Sequence, residues 1–274
     1  MHIEPASDAV GAMVSDVDVR VLDDADFAAM QQAFADHGAL FICGQQLAPE
    51  DHIAFAERWG AININRFFAA VPDYPQIAQV LKEPDQTVNI GGGWHTDHSY
   101  DAVPAMGSIL YALETPPSGG DTLFAGMAAA YDALDDAMKA RLDGLNALHS
   151  NAHIFGDESD YAKEIGDRFG NAQKAGQQAV HPVVLHHPVT GRKGLYVNPA
   201  FTIGIVDMDE TESAELLQTL YAHIMQPRFH FRFHWEPGSL AMWDNRSTWH
   251  YAMNDYHGHR RLMHRITVEG VPLH

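Results

Sequence analysis

Residues 23–37 read DDADFAAMQQAFADH, and Phe27, Met30, Ala33 and Phe34 recur at the three-and-four spacing of a single helical face. Acidic residues open the stretch and Gly38 follows it, so the pattern predicts a helix over 23–37 with its charges matched to the helix dipole. ALFI (39–42) is apolar throughout, as in a short strand buried on both faces. Pro49 suits a first helical turn, and EDHIAFAERW continues from it as a second amphipathic helix ending at Gly60. From about residue 76 the pattern shortens. Strands are predicted at 77–81, 94–100, 105–114 and 121–125, interrupted by one longer helix over 127–142. The stretch 150–178 is polar and without a clean period, and reads as an excursion or lid-like loop. Strands resume at 180–186 and, after the turn TGRKG, at 194–198. A helix at 210–225 opens on Asp209-x-x-Glu212, a capping-box spacing. The last quarter is alternating in FHFRFHW (229–235) and, after the turn EPGS and the short stretch LAMWD (240–244), in RLMHRITVEG (261–270).

Many short late strands with few long helices predict a mainly β protein with α decoration. Its core is an antiparallel barrel or jelly roll, preceded by N-terminal α/β elements and carrying a helical or loop insertion. At 274 residues the chain fits a single domain spanning 1–274. Cys43 is the one cysteine, so an intrachain disulfide is excluded and a reducing compartment fits. The N-terminus lacks a basic, then apolar, leader pattern, and no apolar run reaches the roughly 18–20 residues of a membrane span, so a cytoplasmic protein is expected. Acidic residues number 36 against 17 basic, for a net charge of −19. That balance argues against nucleic acid and anionic membrane surfaces as partners, because a dispersed acidic surface repels phosphate.

Candidate chemistry centres on GGGWHTDHSY (91–100). On a strand, His95 and Asp97 point to one face while Thr96 and His98 point to the other. A His-x-Asp pair alone means little, since composition predicts about one or two by chance. Two histidines and a carboxylate on one face of a metal form the facial triad of non-haem Fe(II) oxygenases. Such a site needs a second histidine from elsewhere, and the stretch 243–265, WDNRSTWHYAMNDYHGHRRLMHR, offers candidates. Arg261, Met263 and Arg265 share one face of the terminal strand, with the arginines about 13 Å apart. Arg260 and His264 have the opposite parity and are expected to face outward, and Gly119-Gly120-Asp121 reads as a turn.

WHTD, SGGDTLF (118–124), GRKGLYVN (191–198) and WDNRSTWHYAMNDY…RRLMHR, in this order, strongly resemble the taurine dioxygenase family, which also contains aryloxyalkanoate and alkylsulfatase dioxygenases. The resemblance extends over nearly the whole chain. It implies a double-stranded β-helix and an enzyme that uses Fe(II), 2-oxoglutarate and O₂ to hydroxylate a small anionic organic substrate, giving succinate and CO₂. It implies that His95, Asp97 and His250 hold iron, and that Thr122 and Arg261 hold the distal carboxylate of 2-oxoglutarate. Arg265 matches a position that grips the substrate anion, and Phe155 and Phe201 match pocket-lining aromatics. His98 joins the substrate-binding set through its backbone. Because halogenating relatives lack the metal-binding carboxylate, Asp97 implies hydroxylation. Asn65 stands where taurine enzymes carry a histidine, and Gly91, Gly92 and Gly93 replace polar residues, so an anionic substrate of another shape than taurine is expected. A homo-oligomer is the expected assembly. The competing reading is a non-catalytic β-barrel that binds a metal or a small anion through the same residues.

Overall fold

The computed structural model describes residues 1–156, 159–168 and 175–273. The protein is mainly β. A nine-stranded sheet carries the strands Ala39–Ile42, Leu240–Asp244, Gly107–Glu114, Arg261–Val268 and Tyr74–Lys82 side by side. Opposite it lies a three-stranded sheet in which Thr122–Gly126 runs between His230–Phe233 and Thr248–Ala252.

Period-2 alternation sorts the side chains of the large sheet into two cores. Leu40, Ile42, Ile109, Tyr111, Leu240, Met242, Ile266 and Val268 face the helices Asp24–His37 and Pro49–Glu57, packing with Met30, Phe34 and Phe55. Their neighbours Ala39, Phe41, Leu110, Ala112, Ala241, Trp243 and Met263 face the other way, meeting Phe124 and Phe233 from the small sheet. Behind the small sheet, Ala125 and Trp249 pack against Leu216, Leu217 and Leu220 of the helix Glu210–Ile224. The inner faces of the two sheets are therefore backed on both sides by helices.

Local signals in the sequence set most element ends. Asp23 accepts from Asp26 N at the first helix, Gly38 closes it with φ 74°, and Asp209 caps the helix Glu210–Ile224. Two expectations require correction. The span 127–142 is not one helix but two, Met127–Asp132 and Asp136–Leu142, because Asp135 turns its carboxylate onto Met138 N at 2.7 Å and starts a new one. The span 94–100 is not a strand, as described with the site below. The stretch 150–178 carries the short helices Ala152–Phe155 and Asp160–Ile165, while its residues 157–158 and 169–174 lie outside the described residues. Among the described residues no helix is long and apolar enough to cross a membrane.

Candidate metal and cosubstrate site

Strand Thr248–Ala252 delivers His250. It pairs antiparallel with Thr122–Gly126 so that His250 opposes Phe124 and Ala252 opposes Thr122. Directly opposed residues share a face, so His250 and Thr122 both turn into the space between the sheets. His95 reaches the same place from a loop through an isolated bridge, with His250 N donating to His95 O at 2.8 Å. Immediately afterwards residues 97–100 form a turn, closed by Asp101 N donating to His98 O at 2.9 Å, with His98 at φ 61°. The turn begins at Asp97, whose Oδ1 lies 3.8 Å from His95 Nε2.

One ligand atom each from His95, Asp97 and His250 lie within 4.8 Å of one another. His95 Nδ1 is 2.9 Å from Gly93 O, a pure acceptor, so Nδ1 carries the proton and Nε2 keeps its lone pair for the cluster. Burial lowers both imidazoles below their ordinary value, His250 well below, and both are neutral at pH 7. Burial alone would raise the Asp97 carboxyl, but the Arg265 guanidinium beside it holds it far below the usual carboxylate range. Two neutral imidazoles and one ionised carboxylate are the donor set that suits Fe(II) with open coordination positions.

Asp97 Oδ2 is occupied by protein donors. Arg265 Nη2 lies 2.8 Å away, Ser108 Oγ 3.2 Å and Trp243 Nε1 3.3 Å. Ser108 Oγ also accepts from Arg265 Nη2 at 2.9 Å. The three donors fix the plane of the carboxylate and leave Oδ1 to a metal. Arg265 lies on the inward face that strand parity gives it, and its guanidinium pairs with Asp97, a partner that the sequence did not indicate. Sequence reasoning missed Ser108, although a polar side chain on the inner parity of GSILYALE was a usable signal. Losing a buried partner of a metal ligand typically costs 10–100-fold in metal affinity. Ser108→Ala is therefore expected to weaken Mn(II) binding about tenfold, measured by equilibrium competition. An unchanged affinity contradicts the clamp.

A cavity of about 230 Å³ opens from the ligand cluster. Arg261, Thr122 and Arg265 line it, and Met263 lies between the two arginines on the same buried face. Arg261 is 5 % exposed, its Nε is buried without a hydrogen-bond partner, and no ion-pair partner is found for it among the described residues. Burial pushes its pKa down, against the pull of Tyr256 and Asp121. A buried cation in this state is costly unless an anion joins it. Thr122 Oγ1 accepts from Trp235 Nε1 at 2.9 Å, which leaves its own hydroxyl proton to donate.

The opposite wall is aromatic. Phe155 and Phe201 meet Phe67 and Tyr100 in one cluster, with Phe67 and Phe155 stacked at 4.7 Å. Asn65 lines the cavity and its Oδ1 accepts from Phe67 N and Phe68 N, both at 2.8 Å, so its amide NH₂ remains to donate. His98 lines the cavity. Gly91 has φ 79° and Gly92 sits where an added Cβ would lie 2.5 Å from Asn89 Oδ1, so the glycine run lets this loop press against the ligand cluster. Outside the cavity, Arg260 pairs with Glu83 and Glu114, and His257 and His259 are exposed. His153 is exposed, with its Nε2 2.6 Å from Ala200 O. Trp243 packs on His250 with ring centroids 4.6 Å apart, whereas Asp244 is committed to Arg246 and His187.

Residues 2–267 match the family described as taurine catabolism dioxygenase TauD, TfdA family. An (S)-phenoxypropionate/alpha-ketoglutarate-dioxygenase from Sphingobium herbicidovorans is 33 % identical over 276 residues, covering 98 % of this chain and 95 % of its own. An alpha-ketoglutarate-dependent sulfate ester dioxygenase from Pseudomonas putida is 31 % identical, covering 98 % and 90 %. The crystal structure of a taurine dioxygenase from Burkholderia xenovorans superposes with a TM-score of 0.82 at 32 % identity, covering 98 % of this chain and 90 % of that one.

Proposed function

The chain belongs to the TauD, TfdA family and is a 2-oxoglutarate-dependent dioxygenase, and on that premise we propose that His95, Asp97 and His250 hold its Fe(II). The reaction we assign is hydroxylation of a small anionic organic substrate, with succinate and CO₂ as coproducts. The observation that carries the reading is the coincidence of three metal-ligand atoms within 4.8 Å with a buried arginine in the same cavity that has no ion-pair partner among the described residues. We further read the facing sheets as a double-stranded β-helix, residues 1–274 as one catalytic domain, and the protein as a cytoplasmic homo-oligomer.

Fe(II) bound here with 2-oxoglutarate supplies the activation of O₂ and the abstraction of a substrate hydrogen. The chain's own residues bind and orient. Arg261 neutralises the distal carboxylate of 2-oxoglutarate, and the Thr122 hydroxyl donates to it. Asp97, held in one plane by Arg265, Ser108 and Trp243, keeps its position occupied by carboxylate, which favours hydroxylation. Arg265 still presents part of its guanidinium to the cavity and attracts the anionic end of the substrate, while Phe67, Phe155 and Phe201 exclude water from its body.

The test is turnover of a panel of sulfonates, sulfate esters, aryloxy acids and other small carboxylates with Fe(II), 2-oxoglutarate and O₂. At least one compound is expected to raise succinate formation well above the substrate-free rate, with one substrate lost per succinate formed. Metal binding without any 2-oxoglutarate consumption would point instead to a silent metal-binding barrel.

A further inference from the structure

Trp235 is 2 % exposed and is not among the residues that line the cavity, yet it touches both residues assigned there to the distal carboxylate. Its indole Nε1 donates to Thr122 Oγ1 at 2.9 Å, and the guanidinium carbon of Arg261 lies 5.7 Å from its ring centroid. One side chain therefore joins two groups that come from different strands, Thr122–Gly126 and Arg261–Val268. The chain holds Trp235 from both sides. Phe233, two residues before it, pairs in register with Thr122 and meets the indole edge-on at 4.8 Å. After it, Ser239 N donates to Glu236 O at 2.9 Å and Gly238 N donates to Ala112 O at 2.8 Å. Gly238 sits at φ 85°, where an added Cβ would lie 2.6 Å from Gln45 O, so the turn that follows Trp235 is pinned against a neighbouring loop.

Each contact has a consequence for an incoming anion. An indole N–H can only donate, so the Thr122 oxygen must accept from it and the Thr122 proton is directed elsewhere. No acceptor for that proton is found among the described residues, which makes Thr122 a donor of fixed direction. The indole ring also gives the buried Arg261 cation a favourable neighbour that carries no charge. A carboxylate at that place would cancel the guanidinium and leave nothing for a ligand to complete. Thr122 and Arg261 are thereby kept as two donors, both lining one cavity.

We propose that Trp235 is a positioning residue for the cosubstrate. Acting through Thr122 and Arg261, it fixes a pair of donors that selects a 2-oxo acid with a distal carboxylate over one of equal length without it. The proposal rests on the assignment of 2-oxoglutarate to this cavity, and its test separates the two. Equilibrium dialysis with the Mn(II)-loaded protein compares 2-oxoglutarate with 2-oxopentanoate, the same carbon chain ending in a methyl group. The parent is expected to prefer 2-oxoglutarate by about 100-fold or more. Trp235→Phe, which keeps a ring and removes the N–H, is expected to weaken 2-oxoglutarate about fivefold while changing 2-oxopentanoate and Mn(II) by less than about twofold. In Thr122→Val the same substitution is expected to add less than about twofold, because no hydroxyl remains to be oriented. A second measurement needs no substitution. In Zn(II)-loaded protein with isotope-labelled tryptophan, one indole N–H resonance is expected to shift with 2-oxoglutarate and not with 2-oxopentanoate. The proposal is overturned if Trp235→Phe leaves the preference unchanged, weakens both acids alike or is additive with Thr122→Val, or if no indole resonance distinguishes the two acids. A parent that binds neither acid, or both equally, would overturn the cosubstrate assignment itself, so the two failures are distinct.

Discussion

Asp97→Ala is expected to lower 2-oxoglutarate turnover by at least about 10³-fold and to destabilise the metal-free protein by about 3–5 kcal/mol. The first effect follows from removing the one anionic ligand of the cluster, leaving two neutral imidazoles to hold a divalent ion. The second follows from Arg265. Its guanidinium is 2.8 Å from Asp97 Oδ2, and the two side chains are 9 % and 10 % exposed. Deleting the carboxylate strands that cation among Trp243, Ser108 and the inner core, the situation in which breaking a buried pair is most damaging. Denaturant unfolding of the metal-free variant reads the stability loss, and succinate formation reads the activity. A variant as stable as the parent would show that Arg265 finds another partner, and one with full turnover would remove Asp97 from the metal site.

Arg261→Glu is expected to abolish 2-oxoglutarate binding, with a loss of at least about 10³-fold, while changing Mn(II) affinity by less than about fivefold. Arg261 is buried, has no ion-pair partner among the described residues, and lines the cavity together with Thr122, whose hydroxyl accepts from Trp235 and keeps its own proton to donate. A charge-assisted pair with a carboxylate accounts for part of the loss, and the repulsion of a buried glutamate for the remainder. Thr122→Val removes a single neutral donor, and a smaller loss of about tenfold is expected. Equilibrium dialysis with labelled 2-oxoglutarate checks both variants. Retained cosubstrate binding in Arg261→Glu would move the distal-carboxylate site elsewhere.

Much of the layered fold was legible because alternation is a local signal. In ALFI, LAMWD and GSILYALE, odd and even positions go to different cores, as apolar strands buried on both faces require. The cap at Asp135 was not legible, since the apolar spacing of 127–142 continues across it and only the competition of a carboxylate for Met138 N ends the first helix. The loop at 94–100 misled for a related reason. A turn with His98 at positive φ and a single bridged residue leaves the same apolar and polar order as a short strand. The pairing of His95 with Asp97 therefore came out correctly from an incorrect local structure, helped by the distant match at His250. The partner of Arg265 was hidden because parity assigns a face but not the group that arrives there from another part of the chain. Asp97 is 168 positions away and reaches Arg265 through that turn. His98 could be separated from the metal by its position, but its alignment by Asp101 and Arg66 depends on a turn that no periodicity encodes.

The central claim is that one cavity binds a metal and 2-oxoglutarate together, and an anaerobic optical titration tests it most directly. Fe(II)-loaded protein is titrated with 2-oxoglutarate without O₂, and the visible charge-transfer absorption of a chelated keto acid is recorded. A band that saturates at one 2-oxoglutarate per chain, and that is lost in both Asp97→Ala and Arg261→Glu, is the predicted result. An Fe(II)-bound parent protein that develops no band, or a band undiminished in Asp97→Ala, would contradict the assignment.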